Sequence, residues 1–531
     1  MTRRDFFLLF LLGLAVNLFI AQFQSLPGYM DADYYFGGGI QLARGHGFTE
    51  PYLWNYLADP QTLPAPSHAY WLPLASILAA VGMWLTGQTT YAIARLGFIL
   101  IAALVPPLTS ALAFRLTSNR IPSLLSGLLA CFSIYYLPFL PVTDNYAIYM
   151  LLGASFFLLL SLLQSSPKNS NLIFFGFGSI SALASLARSD GLLWLGISFL
   201  IAMWWIRKQT SARTGDSQSS TLSYFIFHLS SFIFIIAGFL VPTLPWYARN
   251  LSVFGALMAP GGIRALWLTS YNDTFTYPAS QLTMSTWLAS GWDAILQARL
   301  SALGTNLLNA FAAQGGIFLF PFILIGLWQL RRDVRVRVAA LAWITLLVVM
   351  TIVFPFAGPR GAFFHSGAAL QPMWWVLAPI GLDAVVSFAR SKRLFDDRAF
   401  SIFRSALVGI AILMTGVIFT MRVLPGWERE DGHYADVETL LLQQGAPADA
   451  VIIVRNPPGY NVVTGRSAIA IPIGGIPAIL SVASQFGAEY LLLEPEGTSK
   501  ELRELYDHPY MSPVFIYLGE SDGNRLYKII R

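Results

Sequence analysis

Apolar residues come in blocks along most of the chain, and many blocks reach the roughly 17 to 25 residues that carry a helix across a hydrocarbon core. They predict eleven spanning helices near residues 6–23, 92–114, 121–140, 145–163, 171–187, 190–206, 223–246, 304–329, 337–357, 363–388 and 402–422. A further apolar segment, 69–86, is short and contains Pro73. Its Tyr70, Trp71 and Trp84 suit the headgroup layer, so it is read as an interfacial or re-entrant helix.

That choice fixes sidedness. With 69–86 left out of the count, Arg3, Arg4, Arg115, Arg120, Lys168, Arg207, Lys208, Arg213, Arg331 to Arg337 and Arg390 to Arg398 all fall on one face. An excess of Lys and Arg marks the cytoplasmic side. The N-terminus is therefore expected in the cytoplasm, and the two long loops, 24–91 and 247–303, on the opposite face. Beyond residue 424 the apolar blocks give way to short mixed runs. Residues 425–531 predict a small extracytoplasmic α/β domain after a transmembrane module of residues 1–424. Strands are expected at 451–454, 468–471, 489–493, 513–518 and 525–530, a helix at 475–487, and a Pro/Gly loop at 456–459.

Composition agrees with the pattern. A hydrophobic share of 55%, a charged share of 11% and a mean hydropathy of +0.58 describe an integral membrane protein rather than a soluble one. The net charge of +5 is scattered among apolar segments, which argues against a nucleic-acid partner. One cysteine, Cys131, excludes an intrachain disulfide. The start Met1-Thr2-Arg3-Arg4 is similar to a signal peptide but lacks a small-residue cleavage site, so the first helix is expected to be retained.

The candidate chemistry gathers at the outer helix ends. Asp31-Ala32-Asp33-Tyr34-Tyr35 follows the first span. A carboxyl beside apolar walls has its pKa raised and can serve as a general base, while a pair of carboxylates can hold a divalent cation. Acids and tyrosines also cap helix ends at an interface without further role. His46, Glu50, His68 and Tyr70 follow in the first loop, Asp144 precedes a span, and Arg188-Ser189-Asp190-Gly191 joins two spans. Arg249 ends a span in Pro245-Trp246-Tyr247-Ala248-Arg249-Asn250, and Arg360 and His365 lie at the start of another. Arginine forks suit phosphate; Arg188 with Asp190 equally suits a structural ion pair.

In order and sidedness these motifs resemble the C-type glycosyltransferase (GT-C) superfamily, in particular the protein mannosyltransferase and aminoarabinose transferase branch with its RgtA/B/C/D-like members. The points of resemblance are Asp31 with Tyr35, Ser67 to Leu74, Asp144, Arg188 to Gly191, and Pro245 to Asn250. The resemblance implies an inverting glycosyltransferase on the outer face of a bacterial plasma membrane. Its donor would be a polyprenyl-phosphate sugar and its acceptor a lipid, glycan or protein. Asp31 would be the catalytic base; Asp33, Tyr35, His46, Glu50, His68, Tyr70, Asp144, Arg188, Asp190, Arg249, Arg360 and His365 would bind substrate. Relatives often carry the second acid directly after the first, where this chain has Ala32. The Asp-x-Asp spacing is instead similar to that of metal-using oligosaccharyltransferases, which makes Asp31 and Asp33 the candidate ligands of Mg or Mn. A lipid or polysaccharide transporter, or an inactive acceptor-binding relative, stands as the alternative.

Overall fold

The computed structural model describes all residues except 166–168, 214–220, 397, 428 and 531, with no account of the side chains of 210–228 and 428–430. Lys168 and the Arg213 side chain, both counted above as basic residues of one face, lie outside what is described, as do the side chains of 223–228 in the span expected at 223–246.

Among the described residues nine helices are long and apolar enough to cross a membrane: Arg3–Ala21, Tyr91–Thr117, Asn145–Ser165, Ser170–Ala187, Ser189–Gln209, Leu229–Phe254, Val334–Val353, Gly358–Ser391 and Arg398–Val423. The protein is an integral membrane protein. Two expected spans are broken rather than continuous. The helix Arg120–Cys131 stops at Phe132, beyond which Ile134 takes φ +54 and a 3-10 turn follows over Ile134–Phe139 with Pro138 inside it. The span expected at 304–329 begins in the helix Trp292–Asn309, loosens into a π turn at Ala310–Gln314, turns at Gly316 and Ile317 and resumes at Phe320–Gln329. Hydropathy counts apolar length and is blind to these backbone breaks.

The first helix, α1 (Arg3–Ala21), opens on a Thr2/Asp5 capping box. At that end Arg120 holds Asp5 at 2.6 Å, and Arg335 donates to the Arg115 carbonyl at 3.0 Å. The other end of α1 leads into α2 (Met30–Ala43), the helix carrying Asp31. Basic residues thus gather at the end of the bundle opposite Asp31.

Helix α3 (Leu74–Thr86) has 13 residues, about 20 Å at 1.5 Å per residue. That is short of the roughly 30 Å core. It packs along α2, with Ala79 against Gly39 and Ser76 against Gly38, where a Cβ on either glycine would collide. Val81, Trp84 and Leu85 remain exposed on its far side.

The short strands β1 (Thr49–Glu50) and β3 (Ala65–Pro66) pair in the first long loop, and β2 (Tyr52–Leu53) lies between them in sequence. Strand β2 does not join that hairpin. It forms the edge of a six-stranded sheet with β4 (Val451–Val454), β5 (Ala468–Ala470), β6 (Ala488–Leu493), β7 (Phe515–Ser521) and β8 (Asn524–Ile529), in the order β2-β5-β4-β6-β8-β7. The β2/β5, β5/β4 and β4/β6 pairs are parallel, and the β6/β8 and β8/β7 pairs antiparallel. Helix Gly475–Phe486 matches expectation, while the segment read as a Pro/Gly loop is a helix, Pro457–Thr464, with Pro at its start. Proline suits the first helical turn, whose N–H has no partner to lose.

Candidate functional site

Three chain segments distant in sequence converge just past the start of α2. Asp31 sits in the first turn of that helix, where the free N–H groups favour a carboxylate. Asp144 immediately precedes the helix Asn145–Ser165 and accepts the Asn145 N–H at 2.6 Å. His365 comes from the short helix Phe363–Gly367, after a π turn relaxed by Gly361 at φ +117. His365 Nε2 lies 2.9 Å from Asp144 Oδ2 and 3.8 Å from Asp31 Oδ2. Tyr29 donates to the same Asp144 oxygen at 2.6 Å. Tyr146 stacks on the His365 ring at 4.0 Å and 21°.

The two acids differ in setting. Asp144 is sealed at 1% exposure, whereas the Asp31 side chain is 29% exposed. Burial raises the Asp31 carboxyl and the Asp144 charge adds to it, so its pKa rises to about 6 against the opposing pull of His365 and Arg188. Burial acts in the same direction on Asp144, but His365 and the hydrogen bonds from Tyr29 and Asn145 outweigh it and hold Asp144 below its ordinary value. Of the pair, Asp31 is the group that gives up its proton last.

The His365 ring has acceptors at both nitrogens. Nδ1 lies 2.9 Å from the Gly361 carbonyl, which can only accept, so Nδ1 carries a proton. A neutral ring would then point its Nε2 lone pair at the Asp144 carboxylate. Either a second proton or a cation resolves that contact. The donor atoms of Asp31, Asp144 and His365 all lie within 4.8 Å of one another. One imidazole nitrogen and two carboxylates, with the far side of the ring fixed by a carbonyl, fit a divalent cation.

Around this core Arg188 donates from Nε to Asp190 at 2.9 Å, and its charge reaches Asp31. Tyr149 contacts Asp190 at 3.4 Å, and Tyr35 accepts from Asn145 Nδ2 at 2.8 Å. Gly191 packs on the backbone of Ala184 where no Cβ fits. Arg360 is exposed and lies over the Tyr271 ring at 4.4 Å. Tyr70 and Tyr271 both feel the Asp31 charge, which places Arg360 on the rim of the same site.

Other expected residues go elsewhere. Asp33, two positions along α2, points to the opposite side, is fully buried and accepts from Asn456 Nδ2 at 3.0 Å. The structure therefore does not bring Asp33 together with Asp31 as a ligand pair; Asp144 and His365 occupy that place. His46 is exposed beyond the far end of α2, hydrogen-bonded to Gln41 at 2.8 Å. The length of the helix puts it about 20 Å from Asp31.

Glu50, His68 and Arg249 form a separate buried nest. Arg249 donates to the Phe48 carbonyl at 3.2 Å and the Ser67 carbonyl at 2.9 Å, and packs on Trp246 and Phe254. His68 bonds Ser67 at 2.7 Å and Ser76 at 3.0 Å, and its backbone N–H donates to the Tyr34 hydroxyl at 2.7 Å. Burial, with Arg249 beside it, brings the His68 ring down to about 3, so it is neutral. Burial pushes Glu50 up to about 8, against Tyr34 and Arg249, and one of its carboxyl oxygens has no hydrogen-bond partner among the described residues.

Tyr29, Asn145, Tyr146, Tyr271 and Asn456 were not singled out above. Tyr29, Asn145 and Tyr146 are each within two residues of a flagged acid; Tyr271 and Asn456 carry no local signal.

No family model matches the chain, and no curated protein matches it by sequence. Solved structures do. ArnT from Cupriavidus metallidurans, bound to undecaprenyl phosphate, superposes at a TM-score of 0.55 with 12% identity, covering 99% of this chain and 98% of that one. The oligosaccharyltransferase of Archaeoglobus fulgidus in its apo form gives 0.54 at 11% identity over 95% of this chain and 70% of that one. Its complex with zinc and sulfate gives 0.53 at 13%, over 94% and 68%. The chain therefore shares its fold with ArnT and with the Archaeoglobus fulgidus oligosaccharyltransferase.

Proposed function

We propose that this protein is an inverting glycosyltransferase that moves a sugar from a polyprenyl-phosphate donor to a lipid, glycan or protein acceptor. The observation that carries the reading is a partly exposed carboxyl, Asp31, with a pKa raised to about 6, within 3.8 Å of His365 and beside a sealed Asp144. Its setting in a GT-C fold gives that carboxyl a reaction. Undecaprenyl phosphate bound to ArnT, and zinc and sulfate bound to the oligosaccharyltransferase, support a lipid-phosphate donor and a cation here. The basic residues at the opposite end of the bundle support an orientation with the N-terminus cytoplasmic and the C-terminal region, residues 425–531, extracytoplasmic.

In this reading Asp31 takes the proton of an acceptor hydroxyl or amine as that atom attacks the anomeric carbon. The bond from that carbon to the phosphate oxygen breaks on the opposite side, and the lipid phosphate leaves with the electron pair. One displacement inverts the centre. Arg188 and Arg360 face the charge that grows on the leaving phosphate, and fixed donors aimed at developing charge lower the barrier. The prenyl chain stays in the hydrocarbon while its headgroup reaches the rim. Asp31, Asp144 and His365 are the residues that would hold a divalent metal, Mg or Mn as first expected or zinc as the imidazole allows; it would supply further positive charge to the phosphate.

The test is transfer from radiolabelled polyprenyl-phosphate sugars by the purified protein in lipid, wild type against Asp31→Asn. Loss of a positioned base is expected to cost about 10²- to 10⁴-fold. With no cation bound, the wild-type rate should fall as pH drops through about 6, where Asp31 protonates, and a cation held by Asp31 should move that fall to lower pH. Equal transfer by Asp31→Asn sinks its role as base.

A further inference from the structure

The helix bearing Asp31 is held at its start by the far end of the chain. Trp427, just past the last span, donates from its indole to the carbonyls of Leu26 at 3.2 Å and Pro27 at 3.1 Å. The ring lies flush on Gly28, which at φ +86 has no room for a Cβ. Asp431 accepts the Gly28 N–H at 3.2 Å. Asn456 Nδ2 donates to Asp33 at 3.0 Å and to Asp431 at 3.3 Å.

The orientation of that amide is fixed by its other half. Asn456 Oδ1 accepts the Gly459 N–H at 3.1 Å and caps the helix Pro457–Thr464. Its NH₂ is therefore committed to the two acids. Asp33 and Asp431 are each 0% exposed, so these contacts form away from water, where a hydrogen bond is stronger than in solvent. Asn456 stands directly after β4, at the carboxyl end of the parallel strands, the edge on which open α/β sheets carry their working loops. Here that edge is turned onto α2. The sheet is tied to the same loop a second time through β2, whose Tyr52 and Leu53 pair with Ala468 and Ile469.

We infer that the C-terminal α/β region is a working part of the Asp31 centre, with Asn456 as a positioning residue that acts through Asp33. Asp33 and Asp31 occupy opposite sides of one helical turn, so a force on one sets the place of the other. The inference rests on Asp31 being the base. A displacement of about 1 Å in a reacting group can cost 10²-fold in rate.

The experiment uses the full chain in lipid nanodiscs. Asn456→Ser keeps a capping oxygen and removes the amide donor; Asn456→Ala removes both. Trp427→Phe keeps an aromatic ring next to Gly28 but removes the indole N–H together with the five-membered ring that lies on Gly28, and serves if neither Asn456 variant folds. Hydrogen exchange is expected to accelerate at residues 28–36 in each variant and to stay unchanged in the spans. Transfer should lose about 10-fold or more in kcat, with KM for the donor held within about twofold and the acid limb of the pH profile displaced. Wild-type exchange at residues 28–36 in a folded variant overturns the clamp, whether or not the protein transfers sugar. Faster exchange with unchanged kcat and pH profile overturns the positioning role. A wild type that transfers no sugar sinks the proposed function instead, while exchange still decides the clamp.

Discussion

Two buried polar clusters flank α2, and they differ in what each leaves unfinished. The nest of Glu50, His68 and Arg249 is closed: the His68 nitrogens both meet hydroxyls, Arg249 spends donors on two carbonyls, and Glu50 is 7% exposed. The cluster of Asp31, Asp144 and His365 is open, with Asp31 at 29% and an imidazole that has acceptors on both sides. Both hold a carboxyl raised by burial, so a raised pKa does not separate structure from function. Exposure and unresolved charge do. A carboxyl can exchange a proton with a substrate only where the substrate can reach it.

The sharpest way to break this contrast is to remove the centre of the open cluster. His365→Ala leaves two carboxylates facing each other with neither proton nor cation between them, and transfer is expected to fall at least about 10²-fold. Chelation of the wild type should lower transfer on the same scale, with restoration by Mn or Zn. Full activity after chelation assigns the contact between Nε2 and Asp144 to a second ring proton instead.

Glu50→Gln tests the closed cluster. Folded Glu50, with its pKa near 8 rather than the usual 4.5, keeps a proton that the unfolded chain releases. The wild type therefore loses stability as pH rises from 4.5 through 8. Glutamine cannot ionise, so the variant should melt higher than wild type at pH 8 and about level with it near pH 4, with transfer within about twofold throughout. A large loss of transfer at equal folding would move Glu50 into the chemistry.

How much of this was legible in the sequence depended on the range of the interaction. Span lengths and the strands at 451–454 and 489–493 follow from local hydrophobic period, and the structure has them. The helix breaks at Phe132 and Gly316 do not, since apolar residues continue across both. Flagging Asp31, Asp144 and His365 came from helix-end chemistry and the family resemblance, yet their meeting joins positions more than 200 residues apart. The spacing of Asp31 and Asp33 suggested a ligand pair, but a helical turn sends them to opposite sides, a consequence of secondary structure that the motif does not announce. Strand β2 joining β5 was invisible because two residues carry no period.

Arg249 gives the smallest and most selective test. As a phosphate ligand it would need free donors facing the rim, but both of its NH2 bonds go to the Phe48 and Ser67 carbonyls and NH1 meets Asn250 at 3.1 Å. Arg249→Lys keeps the charge and loses the fork that joins the two carbonyls. The expected cost is about 1–2 kcal/mol of stability, read as earlier thermal unfolding in the same lipid, with KM for the donor unchanged. A rise in KM without loss of stability would instead place Arg249 on the phosphate and reopen the nest as part of the site.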